Sequence, residues 1–152
     1  MTLTVRRVVT GHDAQGRAIV TADETLPVKS PRAGMEGCVV WASETPADNL
    51  DPADGALLPM GTAAPDGALF RVVRYEAGLT GRMHRTQSLD YGVVLSGSIV
   101  LELDNGVEVT LNAGDVVVQR GTIHNWINRG AEACTIAFVL VASRPLPPQV
   151  EM

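Results

Sequence analysis

Apolar and polar positions alternate with a period of two through most of the second half of the chain. Ile99, Leu101 and Leu103 alternate with Val100 and Glu102, while Val107, Val109 and Leu111 alternate with Glu108 and Thr110. That period sends successive side chains to opposite faces of a strand. The pattern predicts strands over 69–77, 90–95, 98–103, 107–111, 115–119, 123–128 and 134–141. In the less regular first half, 7–10, 17–21 and 37–42 are the strand candidates. Nowhere does a 3.6-residue apolar period last three turns, so helix should be scarce. One hairpin can be set in register from its side chains alone. A two-residue Asn105-Gly106 turn would put Leu103 opposite Glu108 and mix the faces. A three-residue loop, Asp104-Asn105-Gly106, puts Leu103 opposite Val107 and Leu101 opposite Val109. Register follows the apolar face, which selects the longer loop with Gly106 left-handed in a bulge.

Glycine and proline punctuate these short valine-rich runs, the rhythm of an all-β sandwich or barrel. Residues 43–68 break it: they are mostly Asp, Pro, Ala and Gly, and read as a long loop or lid. From Arg144 onward, Pro145, Pro147 and Pro148 take the chain out of the sheet. The 152 residues suit one domain. Within it, 1–68 supplies N-terminal strands and the long loop, 69–143 the barrel core and 144–152 a tail.

Composition changes the picture mainly by exclusion. With 45% hydrophobic and 19% charged residues the chain is an ordinary folded protein. Twelve basic against seventeen acidic residues, with no basic cluster, argue against a nucleic-acid partner. No apolar run approaches a membrane span, and the first residues lack the apolar stretch of a secretory signal. Two isolated cysteines, Cys38 and Cys134, fit a reduced, cytoplasmic protein.

Three histidines carry most of the candidate chemistry. His12 sits in a Gly-rich turn and reads as solvated surface. His84 and His124 lie in or beside strands, and barrel neighbours can bring them together. Imidazoles with a carboxylate suit a transition metal, an acid–base pair, or simply a hydrogen-bonded polar pocket. If His124 faces inward, so do Thr122, Trp126 and Asn128 on a period of two. Trp126 then offers a flat apolar wall to a cyclic ligand, or ordinary core packing. Arg82 shares the parity of His84 and can reach a substrate carboxylate near the mouth. Tyr91 points away from Asp90, toward packing or an interface.

The spacing of these residues resembles a known family. Gly78, five residues, His84, Thr86, Asp90 and Gly97 follow the first cupin motif, with Thr86 at its second histidine and Asp90 at its glutamate. Gly114, Gly121, His124 and Asn128 follow the second, with Gln119 at its proline and one residue fewer after Gly114. The chain is similar to small single-domain, RmlC-like cupins with a degenerate metal motif. That resemblance implies an all-β double-stranded β-helix, a jelly-roll barrel with an N-terminal strand extension. It also implies a homodimer.

The resemblance further implies a small-molecule ligand and a site of His84, Asp90 and His124. Arg82, Thr86, Thr122, Trp126 and Asn128 would line the pocket. The same trio would be the metal ligands, for at most one divalent ion of iron, manganese, nickel, copper or zinc. The Thr86 and Asp90 substitutions leave a metal-free site equally open. The leading expectation is a cupin enzyme acting on a small polar or aromatic acid, as a decarboxylase, dehydratase, isomerase or dioxygenase. The alternative is a metal-free binding protein without catalysis.

Overall fold

The computed structural model describes residues 2–58 and 66–147. Among the described residues eleven strands follow one another: β1 (Arg6–His12), β2 (Ala18–Thr25), β3 (Lys29–Arg32), β4 (Met35–Glu44), β5 (Gly67–Tyr75), β6 (Ser88–Ser96), β7 (Ser98–Leu103), β8 (Glu108–Asn112), β9 (Val116–Arg120), β10 (His124–Ile127) and β11 (Cys134–Ala142). A six-stranded sheet in the order β3-β4-β5-β11-β6-β9 faces a three-stranded sheet β10-β7-β8, and β1-β2 forms a separate hairpin. This is the all-β jelly-roll barrel that the strand pattern predicts. Among the described residues no helix is long and apolar enough to cross a membrane.

The core lies between the two sheets. Leu69, Val73, Tyr75, Val94, Ile136, Phe138 and Leu140 from the larger sheet meet Ile99, Leu101, Leu111 and Trp126 from the smaller. Parity explains the choice, because each of these strands buries every second residue. The β7–β8 hairpin has the predicted register: Leu101 pairs with Val109, and the Leu103 amide donates to the Val107 carbonyl at 2.8 Å. Gly106 closes that loop at φ 83°, a backbone position costly for any residue with a Cβ.

A second, smaller cluster covers part of the outer face of the six-stranded sheet. Leu3 and Leu26 pack there on Cys38 and Val72. Arg7 fastens the β1–β2 hairpin to the barrel. Its buried guanidinium donates to Asp54 at 2.7 and 2.8 Å, to Glu24 at 2.6 Å and to the Val40 carbonyl at 3.2 Å. It also lies 5.8 Å from the centre of the Trp41 ring.

Two elements depart from the sequence reading. β3, with the sequence Lys-Ser-Pro-Arg, carries no apolar alternation and was invisible to it; as an edge strand it can hold Pro31, which has no N–H to donate. The loop proposed for 43–68 is shorter, because Ser43 and Glu44 pair with Ala68 and Gly67 as strand ends. Within it, Gly55–Leu57 makes a 3-10 turn capped by the Asp54 carboxylate, which accepts from the Ala56 amide. Leu58 packs against the main core. Residues 59–65 of that loop and 148–152 of the tail lie outside the described residues.

Candidate active site

The segment before β6 does not form a regular strand, yet it runs antiparallel beside β10. The Gly81 amide donates to the Trp126 carbonyl at 3.0 Å, and the Asn128 amide donates to the Leu79 carbonyl at 2.8 Å. A Cβ on Gly81 would stand 2.7 Å from Asn125 Oδ1, so the close approach depends on a residue without a side chain. Two further bonds, each 2.9 Å, join the amide of His84 to the carbonyl of His124 and the reverse. That pairing sets the two imidazole rings 4.4 Å apart, tilted by 55°.

Both rings are oriented in the same way. His84 Nδ1 lies 2.8 Å from the Arg82 carbonyl, and His124 Nδ1 lies 2.8 Å from the Thr122 carbonyl. A carbonyl only accepts, so each Nδ1 carries the proton. The neutral form of each ring therefore presents a lone pair on Nε2. His124 is 3% exposed and His84 is exposed. Burial pushes the His124 pKa down; the Thr122 carbonyl opposes this, and the neighbouring His84 charge adds to the lowering. The buried ring thus favours the neutral, proton-accepting state.

Asp90 arrives from β6, in an inward row with Leu140 of β11 and Gln119 of β9. The Ser88 hydroxyl donates to Asp90 Oδ1 at 2.5 Å. Burial raises the Asp90 pKa, against the Ser88 hydroxyl, the Arg71 charge, the Gln119 side chain and the His84 charge. Gln119 is itself buried and accepts from the Thr122 hydroxyl at 3.2 Å. A polar chain Ser88–Asp90–Gln119–Thr122 therefore runs along one side of the histidine pair.

Of the residues singled out by sequence, the structure brings His84 and His124 into contact and places Asp90 close enough to feel the His84 charge. Trp126 is 6% exposed, with its ring 5.9 Å from His124 and 5.7 Å from Phe138, so it joins the site to the core. Thr86 is half-buried at the entrance to β6, and Thr122 is exposed at the entrance to β10. Arg82 is exposed, and its carbonyl holds His84. Asn128 spends its amide on backbone: it donates to the Tyr75 carbonyl at 3.2 Å and the Glu132 carbonyl at 2.9 Å, and accepts from the Gly130 amide at 3.0 Å. Sequence reasoning missed Ser88, Gln119, Phe138 and Arg71. Arg71 was findable, since it shares the inward parity of Leu69 and Val73 on a strand that was predicted.

The donor set decides how well the site suits a metal. Two Nε2 atoms are free to coordinate. Among the described residues, however, no group of three His, Cys, Asp or Glu side chains converges as a metal site would require. The carboxyl that would complete a two-histidine, one-carboxylate site is held by Ser88 and Gln119. Thr86 offers only a weak hydroxyl. These residues do not fit a metal held by three side chains of the protein. They do fit proton transfer: a buried base whose pKa is lowered, a second imidazole open to solvent, and a carboxyl whose pKa burial raises.

A family model described as a cupin domain matches residues 71–141. Phomopsin biosynthesis cluster protein C' of Diaporthe leptostromiformis is 37% identical over 153 residues, which cover 94% of this chain and 81% of the relative. A cupin-domain-containing oxidoreductase of Aspergillus ruber is 33% identical over 82% of this chain and 64% of its own length. An RmlC-like cupin from Shewanella frigidimarina superposes with a TM-score of 0.53 at 13% identity, over 78% of this chain and 85% of that one.

Proposed function

The chain belongs to the cupin domain family, and from that premise we propose that it is a biosynthetic small-molecule enzyme working inside the barrel by proton transfer. The carrying observation is the histidine pair, with ring centres 4.4 Å apart and both Nδ1 protons tied to backbone carbonyls. His124 Nε2 takes a proton from a carbon next to a carbonyl or carboxyl group. Its solvent-open neighbour, His84, exchanges that proton with water. Asp90, its Oδ1 held by the Ser88 hydroxyl and its pKa raised by burial, lies within reach of the His84 charge and polarises the pair. The deprotonated carbon is the common point for isomerisation, loss of a β-substituent, or oxidation by an external electron acceptor. The relatives' names, a biosynthesis cluster protein and an oxidoreductase, favour the last of these within a biosynthetic sequence.

The test is hydrogen exchange at carbon. Incubating the protein in heavy water with a panel of small keto and aromatic acids, followed by proton NMR, should show exchange that persists after exhaustive chelation. Exchange that needs an added divalent ion would replace this reading with a metal-dependent one. Saturable binding with no exchange at all would leave the chain a binding protein.

The outer face of the six-stranded sheet supports a second copy of the chain as partner. Phe70, Val139, Tyr91 and Val118 form one cross-strand row on that face, and Ala137, Val93 and Val116 continue a second. Val116, Val118 and Tyr91 are 72%, 58% and 47% exposed. Beside them the face is already covered by the N-terminal cluster on Val72 and Ala137. A contiguous apolar sheet face of this kind marks an interface. Sedimentation should find a dimer that Val118→Lys converts to a folded monomer. A wild-type monomer at high concentration would remove the proposal.

A further inference from the structure

Arg71 is the one charged residue in the inward row of β5, between Leu69 and Val73, which are 1% and 2% exposed. Its cross-strand neighbour is Phe138 of β11, and the guanidinium carbon lies 5.8 Å from the centre of that ring. Phe138 in turn packs on Trp126, and Trp126 on His124, so an aromatic wall connects the guanidinium to the histidine pair. Arg71 Nε is buried and has no hydrogen-bond partner. No ion pair to Arg71 occurs among the described residues.

Of the acidic groups near it, Asp90 feels the Arg71 charge but makes no ion pair with it. The Asp90 carboxyl is instead engaged by the side chains of Ser88 and Gln119. The buried Tyr75 phenol is pushed up to about 12 by burial, against the Arg71 and Arg32 charges. A guanidinium taken partly out of water without an anion is costly, and its flat fork of donors matches a carboxylate in a two-pronged bond.

We infer that Arg71 is the specificity residue of the site and receives the carboxylate of the substrate, whose apolar part lies along Phe138 and Trp126. This rests on the reading of the barrel as a small-molecule site, and it names the class: a small carboxylic acid with a flat or cyclic body. The substrate's reactive carbon is then held toward His124 by an ion pair formed deep in the barrel. Arg82, exposed at the rim, is left with no part in that contact.

Binding can be read apart from turnover. Benzoate, benzamide and phenyl phosphate serve as probes, titrated against the full chain by calorimetry and by the Nε resonances of its arginines. Benzoate should bind at least tenfold more tightly than benzamide and shift the Arg71 Nε signal. Arg71→Gln should erase that preference with the melting temperature little changed, and Arg71→Lys should restore only part of it. His124→Gln should keep the preference intact, so a failed exchange assay with a retained preference would fault the proton-transfer reading alone. Equal affinity for benzoate and benzamide, preference surviving in Arg71→Gln, stronger binding of phenyl phosphate, or no saturable benzoate binding would each overturn the assignment.

Discussion

Replacing His124 with glutamine is expected to lower turnover by about 10²–10⁴-fold, the usual worth of a positioned general base. Glutamine keeps a polar side chain at that place but offers no basic nitrogen. Because burial depresses the His124 pKa below its ordinary 6.5, the neutral base persists through neutral pH. Turnover should therefore fall only on the acid side of 6.5, as the ring takes up a proton. Stability has the same sign. The unfolded chain binds that proton more readily than the fold does, so His124 draws the protein toward unfolding as pH falls through and below 6.5. The pH profile of kcat/KM checks the assignment, and a His124→Gln enzyme with wild-type turnover would remove His124 from the chemistry. Asp90 works in the other direction. Its raised pKa means that the fold prefers the protonated carboxyl, so ionisation above the ordinary 3.8 costs stability, and Asp90→Asn should not destabilise at neutral pH.

Phe138→Ala is expected to cost about 3–5 kcal/mol of folding free energy, the range for deleting a buried aromatic ring. The side chain is 4% exposed and meets Trp126 and Arg71, with ring and guanidinium centres at 5.7 and 5.8 Å. On the neighbouring strand, a Cβ at Gly92 would come within 3.3 Å of the ring, so that edge of the ring is closely packed. Little can collapse into the resulting void, because the flanking inward residues belong to three different strands. Urea unfolding followed by circular dichroism measures the loss. A change below about 1 kcal/mol would mean that Phe138 is not part of the buried core.

Most of the barrel was legible because a half-buried strand writes its two faces into alternate residues. The β7–β8 hairpin shows how far that goes: Leu101 opposite Val109 follows from requiring one apolar face, and the structure has that pair. The same parity put Asp90 inside and Tyr91 outside, at 7% and 47% exposure. What failed was short or irregular. β3 has no apolar face to write, and the 78–84 segment meets β10 through single bridges that leave no periodic trace. The histidine pair was readable from motif spacing, whereas its partners were not. Gln119 stood out only as a departure from a proline, although its register opposite Asp90 is what makes it matter. Arg71 was passed over because a charged residue in an apolar strand looks like an outward one until its parity is counted.

The place of β11 also dictates the order in which this protein can assemble. It is among the last segments described, yet it lies in the middle of the larger sheet, hydrogen-bonded to β5 on one side and β6 on the other. Until it is available, β5 and β6 each present an open edge and an uncovered apolar face. The growing chain therefore cannot close its barrel domain-piece by domain-piece as it leaves the ribosome; closure waits for the residues after Cys134 and then joins distant strands in one slow step. A chain ending before Cys134 is expected to leave the β5 and β6 edges open and to aggregate rather than fold as a smaller barrel.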